Sequence, residues 1–261
     1  MNSPVPPQTS ATRVLGEKLE LREDKVLAFF EGRGARYSID HPLTTVLYQD
    51  QSPQIAEERD RYEKFLVLPK LALDGRQNVL DVGCGIGRWA DAVLPQVATY
   101  QGVDFSPSLV AIASDRWRHE SRARFNVLSA DRLSAQALGG QHFDRIIVAG
   151  LMLYLNDDQV ARYLSGLMEV AGENCLLYIR EPLGVTERLT LNAHPSDELQ
   201  QEYSAIYRGL GEMQAALDHT LVAAGFRPAQ FEPLYPAEGR LNNRVETRQY
   251  WLLASKGEVP R

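Results

Sequence analysis

The chain has 261 residues, enough for one large α/β domain or two small ones. Its apolar fraction of 44% and charged fraction of 24% are those of an ordinary globular protein. The net charge of -6 comes without a long basic run, which argues against nucleic-acid binding, and no segment approaches the ~20 apolar residues of a membrane span. We therefore expect a cytoplasmic protein that binds neither nucleic acid nor membrane.

The N-terminal part of the chain is predicted to be mostly helical. Residues 1–20 contain prolines and serines but no apolar signal core, so we expect a disordered tail there. Apolar residues in Leu21–Glu31 predict a helix that the following glycines end. After a polar and aromatic loop, Ser52-Pro53 is typical of a helix start. Residues 21–70 are therefore predicted to form a helical cap.

From Asn78 onward, short apolar strands alternate with amphipathic helices, and residues 71–256 are predicted to form one domain. This alternation predicts a parallel sheet with helices on both faces. The end of the chain breaks the pattern, because two strands follow one another and predict an antiparallel ending. The predicted strands are Asn78–Val82, Thr99–Val103, Arg124–Leu128, Arg145–Ala149, Cys175–Ile179, Pro228–Tyr235 and Arg248–Ala254; the helices are Arg88–Leu94, Ser108–Arg116, Asp157–Val170 and Glu212–Ala224.

A glycine-rich turn follows the first of these strands. Its glycines let the backbone turn tightly and let a ligand approach the main chain. Dinucleotide-dependent reductases also use such a loop, but their G-x-G-x-x-G pattern would need glycine where this chain has Arg88. Asp81 places a carboxylate in the buried strand just before the loop, and burial without a partner is costly. An NAD(P)-dependent reductase remains the less favoured alternative.

The run Asp81-Val-Gly-Cys-Gly-Ile-Gly87 resembles the first motif of class I S-adenosylmethionine-dependent methyltransferases. The resemblance implies a Rossmann-like, mostly parallel, seven-stranded sheet whose last strand is antiparallel. It also implies S-adenosylmethionine as the cofactor. In that family the loop borders the methionine part of the cofactor, and this places Asp81, Gly83, Cys84 and Gly85 there.

The later strands end in residues that continue the resemblance. Asp104 and Phe105 follow the second strand, where the family holds the ribose hydroxyls with a carboxylate. Ala130-Asp131-Arg132 follows the third strand, where the family accepts a hydrogen bond from the adenine amino group. Ala149, at the end of the fourth strand, completes the predicted cofactor set.

Several of these residues also have a purely structural interpretation. Asp104 is a possible helix N-cap, although Ser106 fits that role better. Asp131 is a possible cap of a helix over Arg132–Leu138, and Gly87 a possible relief of helix–sheet crowding. Cys84 is interpreted as a small residue in a tight turn and not as a nucleophile.

The acceptor side is expected at the carboxyl ends of the fourth and fifth strands. Arg180 and Glu181 are the leading candidates for catalytic roles there, the alternative being a mutual salt bridge or one to a lid. His41 is a candidate general base, although an ordinary surface histidine is the alternative. Residues 181–210 are predicted to form an acceptor-side lid. The arginines of the late hairpin either bind an anionic acceptor or are solvated charges: Arg240, Arg244 and Arg248.

No metal is expected, because the histidines show no ligand spacing and the cysteines lie in apolar runs. Short segments such as Tyr48-Gln-Asp-Gln-Ser-Pro are similar to methyltransferases of bacterial biosynthetic clusters for specialised metabolites or polysaccharides. The predicted function is in-line methyl transfer to an oxygen or nitrogen of a small-molecule acceptor, by a monomer or homodimer. A non-catalytic subunit that binds an adenosyl ligand is the alternative from a different class.

Overall fold

The computed structural model describes residues 12–259 apart from 228 and 243. Ten strands and seven α-helices follow one another along these residues. The strands are β1 (Thr12–Leu15), β2 (Asn78–Val82), β3 (Thr99–Asp104), β4 (Ala123–Val127), β5 (Phe143–Ala149), β6 (Ala171–Gly184), β7 (Leu189–Ser196), β8 (Gln201–Tyr207), β9 (Glu232–Pro233) and β10 (Thr247–Lys256). The helices are α1 (Glu23–Ala35), α2 (Thr44–Leu47), α3 (Pro53–Val67), α4 (Ala90–Val93), α5 (Pro107–Arg116), α6 (Asp157–Val170) and α7 (Leu210–Ala223).

Seven strands form the central sheet, in the order β4-β3-β2-β5-β6-β10-β9. The first five of these are parallel to one another. β10 is antiparallel to both of its neighbours, β6 and β9. The predicted seven-stranded, mostly parallel sheet with an antiparallel ending is therefore confirmed.

Both faces of this sheet are covered, which explains why its central strands are apolar throughout. Side chains alternate across a strand, so Leu80 of β2 points to one face and Val79 to the other. The first face packs against α6 and α7, and Leu80 belongs to the same core as Tyr163 and Leu217. The second face packs against α3 and α4, where Val79 belongs to the core of Trp89. This confirms the predicted helices on both faces.

Some predicted boundaries differ from the observed ones. The helix expected over Arg88–Leu94 is only the short α4, followed by a 3-10 turn over Leu94–Gln96 that contains a proline. Of the strand expected over Pro228–Tyr235, position 228 lies outside the described residues, and within 229–235 the strand is reduced to β9. The strand expected to end at Ile179 continues to Gly184, because β10 pairs with it along its whole second half.

A second, three-stranded antiparallel sheet has the order β1-β7-β8. It corrects the expectation of a disordered tail over residues 1–20, because Thr12–Leu15 pair with β7; residues 1–11 lie outside the described part. The predicted lid over 181–210 contains two strands of this sheet, β7 and β8, although its first residues still belong to β6. Apolar residues of β8 share a core with α1, so the helical cap and the small sheet pack together.

Candidate functional site

A cavity of about 540 Å³ lies at the carboxyl ends of the parallel strands β2 to β5. Its volume is within the roughly 300–1,000 Å³ that is typical of small-molecule sites. α1 contributes Val26 and Phe30, and the segment after α2 contributes Tyr48, so the helical cap forms the wall opposite the sheet. The position agrees with the rule that open α/β sheets bind ligands beyond their carboxyl edge.

Every residue predicted from the sequence to bind the cofactor lines this cavity. They come from four different strand ends, far apart in sequence, and the parallel sheet brings them to one edge. They are Asp81, Gly83, Cys84, Gly85, Asp104, Phe105, Ala130, Asp131, Arg132 and Ala149.

The turn after β2 requires glycine at its cavity-lining positions. Gly83 and Gly85 have φ of +76° and +53°, in the left-handed region that residues other than glycine rarely adopt. A Cβ on Gly85 would lie 2.7 Å from Cγ1 of Val46, so the helical cap approaches the bare main chain. Gly87 is outside the lining, and a Cβ there would lie 3.0 Å from Nε1 of Trp117. This contact supports the interpretation that Gly87 relieves crowding.

Asp81 has the partner that its burial demands. Its side chain is buried, and the hydroxyl of Tyr100 on the neighbouring strand donates a hydrogen bond to its carboxylate. Burial raises the pKa of Asp81 to about 7, which Tyr100 and the positive charge of Arg88 only partly counteract. The folded protein therefore holds a carboxyl group that changes charge near neutral pH.

Asp104 lies at the end of β3 with its carboxylate between the glycine-rich turn and α5. Its two oxygens accept hydrogen bonds from the main-chain N–H groups of Ser106 and Gly85, both at 2.9 Å. Ser106 caps α5 by accepting from the N–H of Leu109, so the cap is Ser106 as preferred from the sequence. Burial raises the pKa of Asp104 to about 6. A carboxylate accepts about four hydrogen bonds, so both oxygens have capacity for ligand hydroxyls.

Asp131 lies at the other end of the cavity, in a 3-10 turn over Ala130–Arg132. The helix considered over Arg132–Leu138 is absent from these described residues, so Asp131 is not its cap. The hydroxyl of Ser129 donates to Oδ1 of Asp131, and Nη2 of Arg162 lies 3.2 Å from Oδ2. Both contacts hold the carboxylate at the rim of the cavity.

A second, smaller cavity of about 70 Å³ adjoins the first. The two cavities share a boundary at the end of β5 and beside Arg180 of β6. Residues lining both are Val46, Tyr48, Ala149, Gly150, Tyr154 and Arg180. The small cavity therefore occupies the place where the sequence predicted the acceptor side.

Arg180 and Glu181 have different surroundings, although the sequence suggested a shared acceptor role. Adjacent strand residues point to opposite faces, and only Arg180 lines the cavities. Glu181 is fully buried, and its Oε1 accepts from the N–H groups of Leu151 and Met152, at 2.8 and 2.9 Å. The proposal of a catalytic Glu181 is therefore corrected, because its carboxylate shapes the turn after β5 behind the site.

His41 does not lie at the site. It lines a separate small cavity with neighbouring residues of the helical cap, and its main-chain carbonyl accepts from the hydroxyl and the N–H of Thr44. The interpretation as a general base is corrected in favour of a loop histidine, because neither of the two adjoining cavities includes it.

A buried ion-pair network beneath the site was not predicted. Glu63 of α3 lies 3.0 Å from Nη1 of Arg88 and 3.3 Å from Nε of Arg180. Asp60 pairs with Arg88 at 2.7 Å and with Lys64 at 2.8 Å. Burial alone would raise the pKa of Glu63, but Arg88 and Arg180 outweigh it and hold that pKa at about 2. The network fixes two cavity-lining arginines through a helix of the cap.

Two further properties bear on the kind of site. Within residues 12–259, positions 228 and 243 aside, no group of three or more His, Cys, Asp and Glu side chains has the arrangement of a metal site. Over the same described part, no helix has the length and apolar character needed to cross a membrane.

Replacing Asp81 by asparagine is expected to raise the free energy of unfolding of the ligand-free protein at pH 8, by on the order of 1 kcal/mol or more. The folded-state pKa of about 7 lies above the ordinary value of 3.8, so this carboxyl's contribution to stability is lost as pH rises through that interval. Asparagine keeps an acceptor for Tyr100. Urea unfolding at pH 4 and pH 8, with Asp115→Asn on exposed α5 surface as control, measures the effect. A free energy of unfolding that rises equally at both pH values, or that falls at pH 8, would contradict this prediction.

The chain was compared with known families and proteins. Residues 79–173 match a family described as a methyltransferase domain. Phosphoethanolamine N-methyltransferase 1 of Caenorhabditis elegans is 24% identical over 165 residues, which cover 61% of this chain and 34% of that protein. Methyltransferase GfsG of Streptomyces halstedii is 31% identical over 123 residues, which cover 45% of this chain and 43% of that protein. The chain thus spans less than half the length of these curated relatives.

Among solved structures, that of 1,6-didemethyltoxoflavin-N1-methyltransferase of Burkholderia thailandensis, with bound 1,6-didemethyltoxoflavin and S-adenosylhomocysteine, has a TM-score of 0.62. It is 16% identical, and the match covers 96% of this chain and 97% of that one, so the whole fold is shared. The motif residues predicted from the sequence line one cavity within this fold. Residues 79–173 thus match a methyltransferase domain, and the chain shares its fold with a methyltransferase whose structure contains bound S-adenosylhomocysteine.

Proposed function

We propose that this chain transfers a methyl group from S-adenosylmethionine to an oxygen or nitrogen of a small-molecule acceptor. The observation that carries the proposal is the pair of adjoining cavities along one sheet edge. Neighbouring strands lie roughly 4.8 Å apart, so the edge from β4 to β6 is about 19 Å long. This length accommodates an extended nucleoside-amino acid ligand, with the acceptor at its end.

The lining fits the parts of that ligand in order. Asp131 beyond β4 is assigned to the adenine amino group and Asp104 at the end of β3 to the ribose hydroxyls. The bare main chain at Gly83 and Gly85 admits the methionine part, because a Cβ at either position would narrow the cavity. The second cavity then begins at Gly150 and Arg180, beyond the methionine end.

When bound, S-adenosylmethionine supplies a methyl group on a positively charged sulfur, and the leaving group is neutral. The chain's own contribution is mainly to align the acceptor atom with that methyl group, and proximity and orientation supply several kcal/mol in such reactions. Cys84 lines the cavity, but burial raises the pKa of its thiol well above the ordinary range. We therefore infer direct transfer to the acceptor without a methylated cysteine.

The acceptor is a small molecule in this proposal, because the second cavity has only about 70 Å³ of space. The names of two similar proteins refer to N-methyltransferases of small molecules, which supports the acceptor class and includes nitrogen among the acceptor atoms. A role in the biosynthesis of a specialised metabolite or polysaccharide sugar is part of the same proposal.

Calorimetry with the purified chain tests the cofactor half of the proposal. We expect S-adenosylhomocysteine to bind in the micromolar range and NADH not to bind. NADH binding without binding of the adenosyl ligand would replace the proposal by a reductase.

Incubation with methyl-labelled donor and a metabolite extract, followed by mass spectrometry, tests the transfer. Binding of the adenosyl ligand with no labelled product in any acceptor class would instead support a non-catalytic binding subunit.

A further inference from the structure

The second cavity has an unusual charge pattern. Its lining includes three arginines, Arg59 of α3, Arg180 of β6 and Arg244 of the segment before β10. Aspartate and glutamate are absent from the described lining residues. Three guanidinium groups from separate parts of the chain therefore converge on one small cavity.

Arg59 donates to the main-chain carbonyl of Leu241, whereas Arg180 and Arg244 are incompletely matched by nearby carboxylates. Glu63 pairs with Arg180, but the same carboxylate also pairs with Arg88 and accepts a hydrogen bond from the hydroxyl of Tyr178. Arg244 donates to the hydroxyl of Tyr207 at 2.7 Å, and across the described part of the chain no carboxylate lies within ion-pair distance of it. Burial lowers the pKa of Arg59, and the positive charges of Arg244 and Arg180 lower it further, against the opposing effects of Tyr235 and Glu198. An anion between the three arginines would relieve the repulsion of their positive charges.

Tyrosine hydroxyls add neutral hydrogen-bond donors to the same wall. The hydroxyl of Tyr207 donates to that of Tyr203 at 3.1 Å, and the hydroxyls of Tyr203 and Tyr154 lie 3.2 Å apart. Burial raises the pKa of Tyr154 and Tyr203 well above the ordinary value, so these two hydroxyls keep their protons. Hydroxyl groups rotate to suit a partner, so the tyrosines can turn their donors toward an oxyanion.

We propose that the second cavity binds an oxyanion of the methyl acceptor, a carboxylate, sulfate or phosphate group, through Arg59, Arg180 and Arg244. Guanidinium groups match these planar or tetrahedral oxyanions with paired donors, which ammonium groups do not. The cavity volume is several times the roughly 10–15 Å³ that one water molecule needs, and this suits a compact anionic group. The inference rests on the proposed function, because it assigns the acceptor of that same site.

The experiment uses the full chain saturated with S-adenosylhomocysteine, titrated with inorganic phosphate, sulfate or acetate at constant ionic strength. Arg244→Gln is expected to weaken the binding of the preferred anion at least tenfold. Arg240→Gln is the matched control, because Arg240 lies in the same segment but pairs with Glu58 and lines neither cavity. We expect wild-type anion affinity for this control. Arg244→Lys keeps the charge but loses the paired donors, so we expect its affinity for the anion to lie between those of Arg244→Gln and Arg240→Gln.

The outcomes separate the inference from the proposed function. Anion binding that is the same in Arg244→Gln and Arg240→Gln would overturn the inference, as would failure of all three anions to bind the saturated protein. In both cases binding of S-adenosylhomocysteine leaves the proposed function standing. Failure of S-adenosylhomocysteine itself to bind would overturn the proposed function. A higher affinity for phosphate than for acetate, lost in Arg244→Gln, supports the inference and assigns a phosphate-like group; the reverse order assigns a carboxylate.

Discussion

Replacing Glu63 by glutamine is expected to lower the free energy of unfolding by about 3–5 kcal/mol, the cost of removing one partner from a buried ion pair. The side chain of Glu63 is 1% exposed. Its Oε2 pairs with Arg88, and its Oε1 accepts from the hydroxyl of Tyr178 at 2.8 Å and pairs with Arg180. Glutamine leaves both guanidinium groups buried with reduced compensation.

The pH dependence provides a second measure of the same effect. The pKa of Glu63 is held at about 2, below the ordinary 4.5, and this difference corresponds to roughly 3 kcal/mol. Because the folded-state pKa is lowered, this stabilisation is present above pH 4.5 and is lost as pH falls toward 2. Glu63→Gln should therefore flatten the acid side of the stability profile.

Urea unfolding at pH 7 and at pH 3 measures both effects. Glu57→Gln is the control, because Glu57 is exposed on the same helix, and a change within 0.5 kcal/mol is expected for such a surface site. A loss below about 1 kcal/mol for Glu63→Gln would show that the network stabilises little. It would also remove the reason for regarding α3 as the element that fixes Arg88 and Arg180.

The part of the cavity lining at the ends of β2, β3 and β4 was predictable because its signals are local in sequence. Asp81, Gly83 and Gly85 lie within five residues of one another, Asp104 directly follows a predicted strand, and Asp131 lies three residues after the end of the next one. Each is a polar or flexible residue where a strand ends, and a parallel sheet collects such ends at one edge. The mostly parallel sheet with an antiparallel ending was implied by the alternation of strands and helices, and the observed sheet confirms it.

The acceptor side was less predictable because it depends on pairing between distant segments. Glu181 follows the predicted end of its strand, so no pattern in the sequence indicated that it would lie on the buried face. β10 pairs Tyr250 with Glu181 and thereby extends the strand. Because side chains alternate along a strand, Arg180 and Glu181 then point to opposite faces of the sheet. Glu63 and Arg88 are typical surface residues in the sequence. Their burial follows only from the packing of α3 against the sheet.

Asp104→Ala is expected to weaken binding of S-adenosylhomocysteine at least tenfold, on the assignment of Asp104 to the ribose hydroxyls. Hydrogen bonds to a charged group contribute about 1.5–3 kcal/mol each, so loss of two of them exceeds the 1.4 kcal/mol of a tenfold change. The expected result for Asp115→Ala, on the exposed surface of α5, is wild-type affinity. Calorimetry at pH 8 makes the comparison, and equal affinity for Asp104→Ala and the parent would contradict the assignment.

Asp104→Asn removes the charge of this residue and keeps one of its two structural contacts. The oxygen of asparagine can accept from the main-chain N–H of either Gly85 or Ser106, whereas its amide NH2 cannot accept from the other. In the parent, the pKa of about 6 means that the ionised acceptor is fully populated only above that pH. The affinity of the parent for S-adenosylhomocysteine should therefore fall below pH 6, approaching tenfold per pH unit. The affinity of Asp104→Asn should be lower than that of the parent at pH 8 and nearly independent of pH. A parent affinity that is constant from pH 8 to pH 5 would show that the ligand does not depend on the charge of Asp104, and the assignment of β3 to the ribose would then be wrong.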